Sequence, residues 1–133
     1  MRVWGIAGYS GSGKTTLIGG LIPILAAMGL SVSTIKQARR GFDIDQPGKD
    51  SFRHRAAGAR EVVVASEERW ALLHELRGAA PPTFASHLAA MSPVDIVLVE
   101  GFRHEALRRV EVYEPSLGKA PLFREDRLIE ALV

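Results

Sequence analysis

The chain has 133 residues, 47% of them apolar and 24% charged, which fits one soluble globular domain and excludes disorder along its whole length. It holds no cysteine, so disulfides, cysteine-ligated zinc, iron–sulfur clusters and thiol catalysis are excluded. The net charge of +2 hides a segregation: from Lys36 to Arg60 seven basic side chains meet three acids, while the rest of the chain has ten basic and twelve acidic residues.

In chain order, residues 2–7 read as a short buried strand, and residues 8–13 as a glycine-rich turn. From Lys14 onward, apolar positions at Leu17, Leu21, Leu25 and Met28 have helical spacing, with Gly29 as the stop and a kink expected at Pro23. Residues 30–36 form a second strand, which completes a right-handed βαβ unit. The stretch 37–49 is a loop with Gly41, Pro47 and Gly48. A short helix capped by Asp50 or Ser51 runs to about Ala57, and Gly58 closes it. Residues 61–65 are a valine-rich strand, and 70–76 fit either a strand or a helical turn. Pro81 and Pro82 open a helix to about Met91 that buries Phe84, Leu88 and Met91. Residues 95–99 are a near-continuous apolar run, as a central parallel strand requires. Further strands follow at 109–113 and 128–133. The alternation gives an α/β layer fold in a single domain, 1–133. No apolar run reaches the ~18 residues of a membrane span. The chain starts directly on a strand, without room for a signal peptide, so the expected location is the cytoplasm.

Gly8-Tyr-Ser-Gly-Ser-Gly13-Lys14-Thr15 matches G-x-x-x-x-G-K-[ST] at every fixed position, between a strand and a helix. Glycines let backbone N–H groups converge on phosphate oxygens, and the helix N-terminus adds partial positive charge. Lys14 brings a full charge to the β- and γ-phosphates, the Thr15 hydroxyl suits Mg²⁺, and Thr16 reaches the α-phosphate. Nucleoside triphosphate binding follows, with the base left open. Phosphoryl chemistry also needs a carboxylate for the metal. Glu100 ends the apolar strand, on the edge where ligands of open α/β sheets bind. Asp95 starts the same strand, roughly 15–17 Å away, and reads as structural. Asp43 and Asp45 lie in the loop after the second strand and suit either Mg²⁺ or an inward-facing alternation with Phe42 and Ile44. His54, His74, His87 and His104 are scattered without metal-ligand spacing. The basic segment suits an anionic small molecule or a solvated face. Nucleic acid is disfavoured, because only Phe42 and Phe52 are aromatic there and no nucleic-acid-binding motif accompanies them.

Over nearly its whole length the chain resembles the MobB family, molybdopterin-guanine dinucleotide biosynthesis protein B. The resemblance rests on the phosphate loop through Thr16, Thr34-Ile-Lys36, Phe42-Asp-Ile-Asp-Gln-Pro-Gly-Lys-Asp-Ser51, Ala57-Gly-Ala59, Arg69-Trp-Ala-Leu72 and Leu98-Val-Glu-Gly-Phe-Arg103. It implies a P-loop NTPase-type three-layer α/β fold with a mostly parallel sheet. It also implies binding of GTP with Mg²⁺, at most slow GTP hydrolysis, a homodimer, and a MobA-type guanylyltransferase as partner. Gly11, Ser12, Gly13, Lys14, Thr15 and Thr16 would hold the phosphates, and Thr15, Asp45 and Glu100 the metal. Lys14, Asp45 and Glu100 would serve hydrolysis. Lys49 and Arg53 would meet a phosphate of molybdopterin or its dinucleotide. Two departures stand out. Lys36-Gln-Ala-Arg-Arg40 replaces the family's K-H-x-H-H pattern, and the chain ends at Val133, where family members continue, so it is expected to be either a short member or one lacking part of the C-terminal region. No N-K-x-D guanine signature is present. The alternative is a P-loop small-molecule kinase, with Arg103, Arg108 and Arg109 in a lid. A metal-delivery GTPase ranks third for want of cysteine or histidine clusters.

Overall fold

The computed structural model describes residues 1–38, 41–42 and 44–133, which form two compact units, Met1–Arg39 with Phe84–Val133, and Arg40–Thr83. Arg39, Arg40 and Asp43, named above for charge and metal binding, lie outside the described residues.

The first unit is built on a five-stranded sheet. Its strands are β1 (Arg2–Ala7), β2 (Val32–Lys36), β5 (Ile96–Glu100), β6 (Arg109–Glu111) and β7 (Ile129–Leu132). Their order is β2-β5-β1-β6-β7, and every neighbouring pair is parallel. The first and second strands therefore run parallel but are not neighbours. β5 enters between them, pairing Val3 with Val97 on one side and Ile35 with Val99 on the other. Its run Ile-Val-Leu-Val is the most apolar of the strands, and an interior position in the sheet buries both faces of a strand. Val97 and Val99 have no exposed surface.

Helix α1 (Lys14–Ala27) connects β1 to β2 and continues through Pro23. Gly29 and Leu30 close it, donating to the carbonyls of Ala26 and Leu25. Helix α3 (Phe84–Ala89) precedes β5 and is shorter than the expected run to Met91. Phe84 is buried, and Leu88 packs with it against Val97 and Val99, together with Val3, Ile35, Phe102 and Leu107. The chain moves one way across the sheet from β1 to β2 and back from β2 to β5. Right-handed crossovers then put α1 and α3 on opposite faces. Leu98, Ile6 and Glu100 alternate with the valines and so face the α1 side. This is an α/β fold in three layers with a parallel central sheet.

The far side of β1 is organised by two arginines, buried Arg109 and exposed Arg108. The stem of Arg109 crosses Gly5, where a Cβ would stand 2.9 Å from its Cγ. Its guanidinium donates to the carbonyls of Arg103 and Glu105 and pairs with Asp126 at 3.2 Å. Arg108 pairs with Glu130 and stacks on Trp4 at 4.8 Å.

The second unit holds α2 (Asp50–Ala56) and an antiparallel hairpin, β3 (Glu61–Ala65) with β4 (Trp70–His74). The segment after Arg69 is thus a strand rather than a helical turn. Val62 is buried on one face of the hairpin, while Val63, Trp70 and Leu72 share the other, exposed face. Arg55 ties the unit together. It grips both oxygens of Asp45, at 3.2 and 2.6 Å, meets Glu75 at 2.5 Å, and lies over the Phe52 ring.

Candidate nucleotide-binding site

β1 ends at Ala7 and the chain turns immediately into the glycine-rich loop, which feeds α1 at Lys14. Gly8 has φ +146°, and a Cβ there would stand 2.5 Å from Ser12 Oγ and 2.7 Å from the Val112 carbonyl oxygen. Only glycine fits that approach. Gly13 serves as the helix N-cap in the left-handed region, with no capping side chain, so the first-turn amides remain available to an anion.

The Lys14 ammonium folds back over this loop, donating to the carbonyls of Gly8 and Tyr9 at 2.9 Å each. This lysine is partly buried and holds the loop closed on itself. Ser12 is 8% exposed, and its Oγ is buried without a hydrogen-bond partner among the described residues. A buried hydroxyl without a partner costs free energy. Thr15 and Thr16 stand exposed at the start of α1. The donor set here is glycine amides, a lysine ammonium and two threonine hydroxyls, which fits a polyphosphate.

Glu100 ends β5, in register with Ile6 of β1 and Lys36 of β2. It lies one strand from the loop, with its side chain 16% exposed and Lys36 Nζ 4.0 Å away. The next two residues carry positive φ, Gly101 at +94° and Phe102 at +53°. A non-glycine residue in that region stores strain of ~1–3 kcal/mol. Gln37 stabilises the turn. Its backbone N–H donates to the Glu100 carbonyl at 2.9 Å, and its Oε1 accepts from the Phe102 N–H at 2.8 Å. A Cβ on Gly101 would strike the Gln37 Cβ at 2.6 Å. Gln37 occupies the place where the family pattern has histidine, and here it orients the end of β5.

Asp95 sits at the opposite end of β5. Its Oδ2 accepts from both the backbone N–H and the hydroxyl of Ser31 at 2.8 Å, and these bonds hold its carboxyl below the usual range. It binds the start of β5 to the start of β2.

Asp45, Lys49 and Arg53 belong to the second unit. Arg55 occupies both Asp45 oxygens, so a metal at Asp45 has to compete with a bidentate guanidinium. Lys49 and Arg53 are exposed, at the N-cap and within α2. Among the described residues no three histidines or carboxylates gather as a metal-binding group. Of the three arginines considered for a kinase lid, Arg108 and Arg109 are committed to Glu130 and to the loops at 103–105 and 126.

Sequence reasoning missed Glu111. This carboxylate has no exposed surface and accepts from the N–H groups of Leu122 and Phe123 at 2.7 and 2.9 Å. Its signal was a charge inside the apolar run Val-Glu-Val. The contact between the loop residue Tyr9 and Lys119, 4.7 Å from ammonium to ring centre, had no signal in the local pattern.

A family model, Molybdopterin guanine dinucleotide synthesis protein B, matches residues 3–133. The chain is similar to the molybdopterin-guanine dinucleotide biosynthesis adapter protein of Escherichia coli (strain K12), 40% identical over 117 residues, covering 86% of this chain and 67% of that protein. The adapter protein of Haemophilus influenzae is 38% identical over 128 residues, covering 96% and 71%. A crystal structure of molybdopterin-guanine biosynthesis protein B superposes with a TM-score of 0.66 at 30% identity, covering 86% of this chain and 71% of that one. Among the described residues no helix is long and apolar enough to cross a membrane.

Proposed function

The chain belongs to the family of molybdopterin guanine dinucleotide synthesis protein B, and from that premise we propose an adapter in molybdenum cofactor biosynthesis that works through a GTP-loaded phosphate loop. The observation that carries this reading is the loop itself. Gly8 makes an approach closed to any other residue, and the Lys14 ammonium rests on the loop's own carbonyls, one strand from Glu100.

On binding, Lys14 exchanges the carbonyls of Gly8 and Tyr9 for phosphate oxygens. The amides of Gly11, Ser12 and Gly13 line the cradle, the Thr15 hydroxyl and Glu100 face the metal position, and Thr16 reaches the α-phosphate. Mg²⁺, when bound, offsets the negative charge of the β- and γ-phosphates. Hydrolysis is slow, as the resemblance to the family implies. The protein works in the cytoplasm as a homodimer beside a MobA-type guanylyltransferase. The exposed apolar hairpin face of Val63, Trp70 and Leu72 supports association, and exposed Lys49 and Arg53 suit a phosphate of molybdopterin or its dinucleotide.

The test is calorimetric titration of Mg·GTP into wild type and Lys14→Ala. Loss of two or more orders of magnitude in affinity is expected, with the fold retained by circular dichroism. Equal affinity in the folded variant refutes the site. A phosphorylated small molecule formed from [γ-³²P]GTP in a metabolite screen refutes the adapter reading in favour of a kinase.

A further inference from the structure

The phosphate loop has a different neighbour on each side. β5 flanks β1 on one side and ends in Glu100, while β6 flanks it on the other and runs on into residues 112–123. If the metal and the terminal phosphates lie toward Glu100, as the proposed function has it, the nucleoside end of the ligand points toward the β6 side. The segment after β6 follows the loop closely there. The Val112 N–H donates to the Ala7 carbonyl at 2.9 Å, and its Cγ1 stands 3.7 Å from where a Gly13 Cβ would be.

This segment is pinned at both ends. The Glu114 carboxylate accepts from the Ser116 N–H at 3.0 Å, and buried Glu111 holds the amides of Leu122 and Phe123. Between them, the Tyr9 hydroxyl donates to the Ala120 carbonyl at 3.2 Å, and the Lys119 ammonium lies over the Tyr9 ring. Among the described residues that ammonium meets this ring and forms no ion pair. An exposed cation on an aromatic face is only weakly held, so a better acceptor draws it away readily.

We propose that Lys119, held over Tyr9 beside the phosphate loop, is the specificity-determining cation of a nucleoside subsite that takes the oxo edge of a purine base. An ammonium donates and cannot accept. Guanine offers it two adjacent acceptors, O6 and N7, whereas adenine pairs N7 with an N6 amino donor that repels it. This inference rests on the phosphate-loop reading and deepens it by naming the residue that selects the base.

The experiment titrates wild type, Lys119→Ala and Lys119→Arg with GTP, ITP, ATP and inorganic tripolyphosphate, all with Mg²⁺. Wild type is expected to prefer GTP and ITP over ATP. Lys119→Ala is expected to lose about tenfold in GTP and ITP affinity, equivalent to about 1.4 kcal/mol, with ATP and tripolyphosphate unchanged within about twofold. Lys119→Arg, which still donates, is expected to recover most of the loss. An equal loss for all four ligands overturns the proposal and makes Lys119 a phosphate cation. No loss for GTP, or no wild-type preference over ATP, overturns it while leaving the phosphate loop intact. Failure of wild type to bind even tripolyphosphate refutes the phosphate loop itself, and the subsite with it.

Discussion

Glu111 offers the sharpest test of how the segment beside the phosphate loop is held. Its carboxylate is wholly buried and receives two backbone N–H groups, from Leu122 and Phe123. Removing an acceptor strands a buried donor at a cost of about 1–3 kcal/mol. Glu111→Gln keeps the shape but offers one carbonyl oxygen, and its amide group turns N–H toward the second donor. A loss of about 2–3 kcal/mol is expected. Glu111→Ala strands both amides and leaves a cavity, so about 3–5 kcal/mol is expected. These are large fractions of a total stability of about 5–15 kcal/mol. Urea unfolding reads the effect directly. With a slope near 2 kcal/mol per M, the Gln variant's midpoint should fall by about 1–1.5 M. Limited proteolysis should then cut first within residues 113–123. A Gln variant within about 0.5 kcal/mol of wild type would show that the carboxylate does not act as a double acceptor, and the reasoning would fail.

Other expectations follow from the two ends of β5. Glu100→Gln should weaken Mg²⁺-dependent GTP binding more than Asp95→Asn does, measured by titration at several Mg²⁺ concentrations. The reverse order would place the metal at the wrong end of the strand. Asp95 also sets a pH dependence. The Ser31 N–H and hydroxyl lower its pKa in the folded chain, so its stabilisation is full above the ordinary carboxylate value of about 4 and is lost as pH falls through the lowered one. The Tm gap between wild type and Asp95→Asn should be widest at neutral pH and shrink in acid. A gap constant from about pH 7 to about pH 3 would contradict this. Gly5→Ala should destabilise through the Arg109 stem, by about 1–3 kcal/mol in thermal or urea unfolding. A neutral result would mean that Arg109 shifts freely, contrary to its buried hydrogen bonds.

Much of this was legible in the sequence where the signal is local. The phosphate loop is written in consecutive residues, because the glycines and the lysine act within one turn of backbone. The β5 strand showed itself as a near-continuous apolar run, and Glu100 as the charge that ends it. Spatial order was less legible. Nothing in β1 or β2 says that β5 enters between them, because parallel partners are chosen by burial across the sheet, not by chain proximity. The partners of charged groups were hidden for the same reason. Asp45 reads as a metal ligand until Arg55, ten residues on, takes both its oxygens. Arg108 and Arg109 read as candidates for a lid until their partners at Glu130 and Asp126 are in view. Tyr9 and Lys119 lie 110 residues apart, and only the placement of β6 beside β1 brings them together.

The central claim is a phosphate loop loaded with GTP and Mg²⁺, and the most direct measurement is calorimetric titration of wild type with GTP and with ATP, each with and without Mg²⁺. The expected result is one site per chain, tightest for GTP, and weakened when Mg²⁺ is removed by chelation. Absence of binding by either triphosphate, or binding indifferent to both base and Mg²⁺, would contradict it.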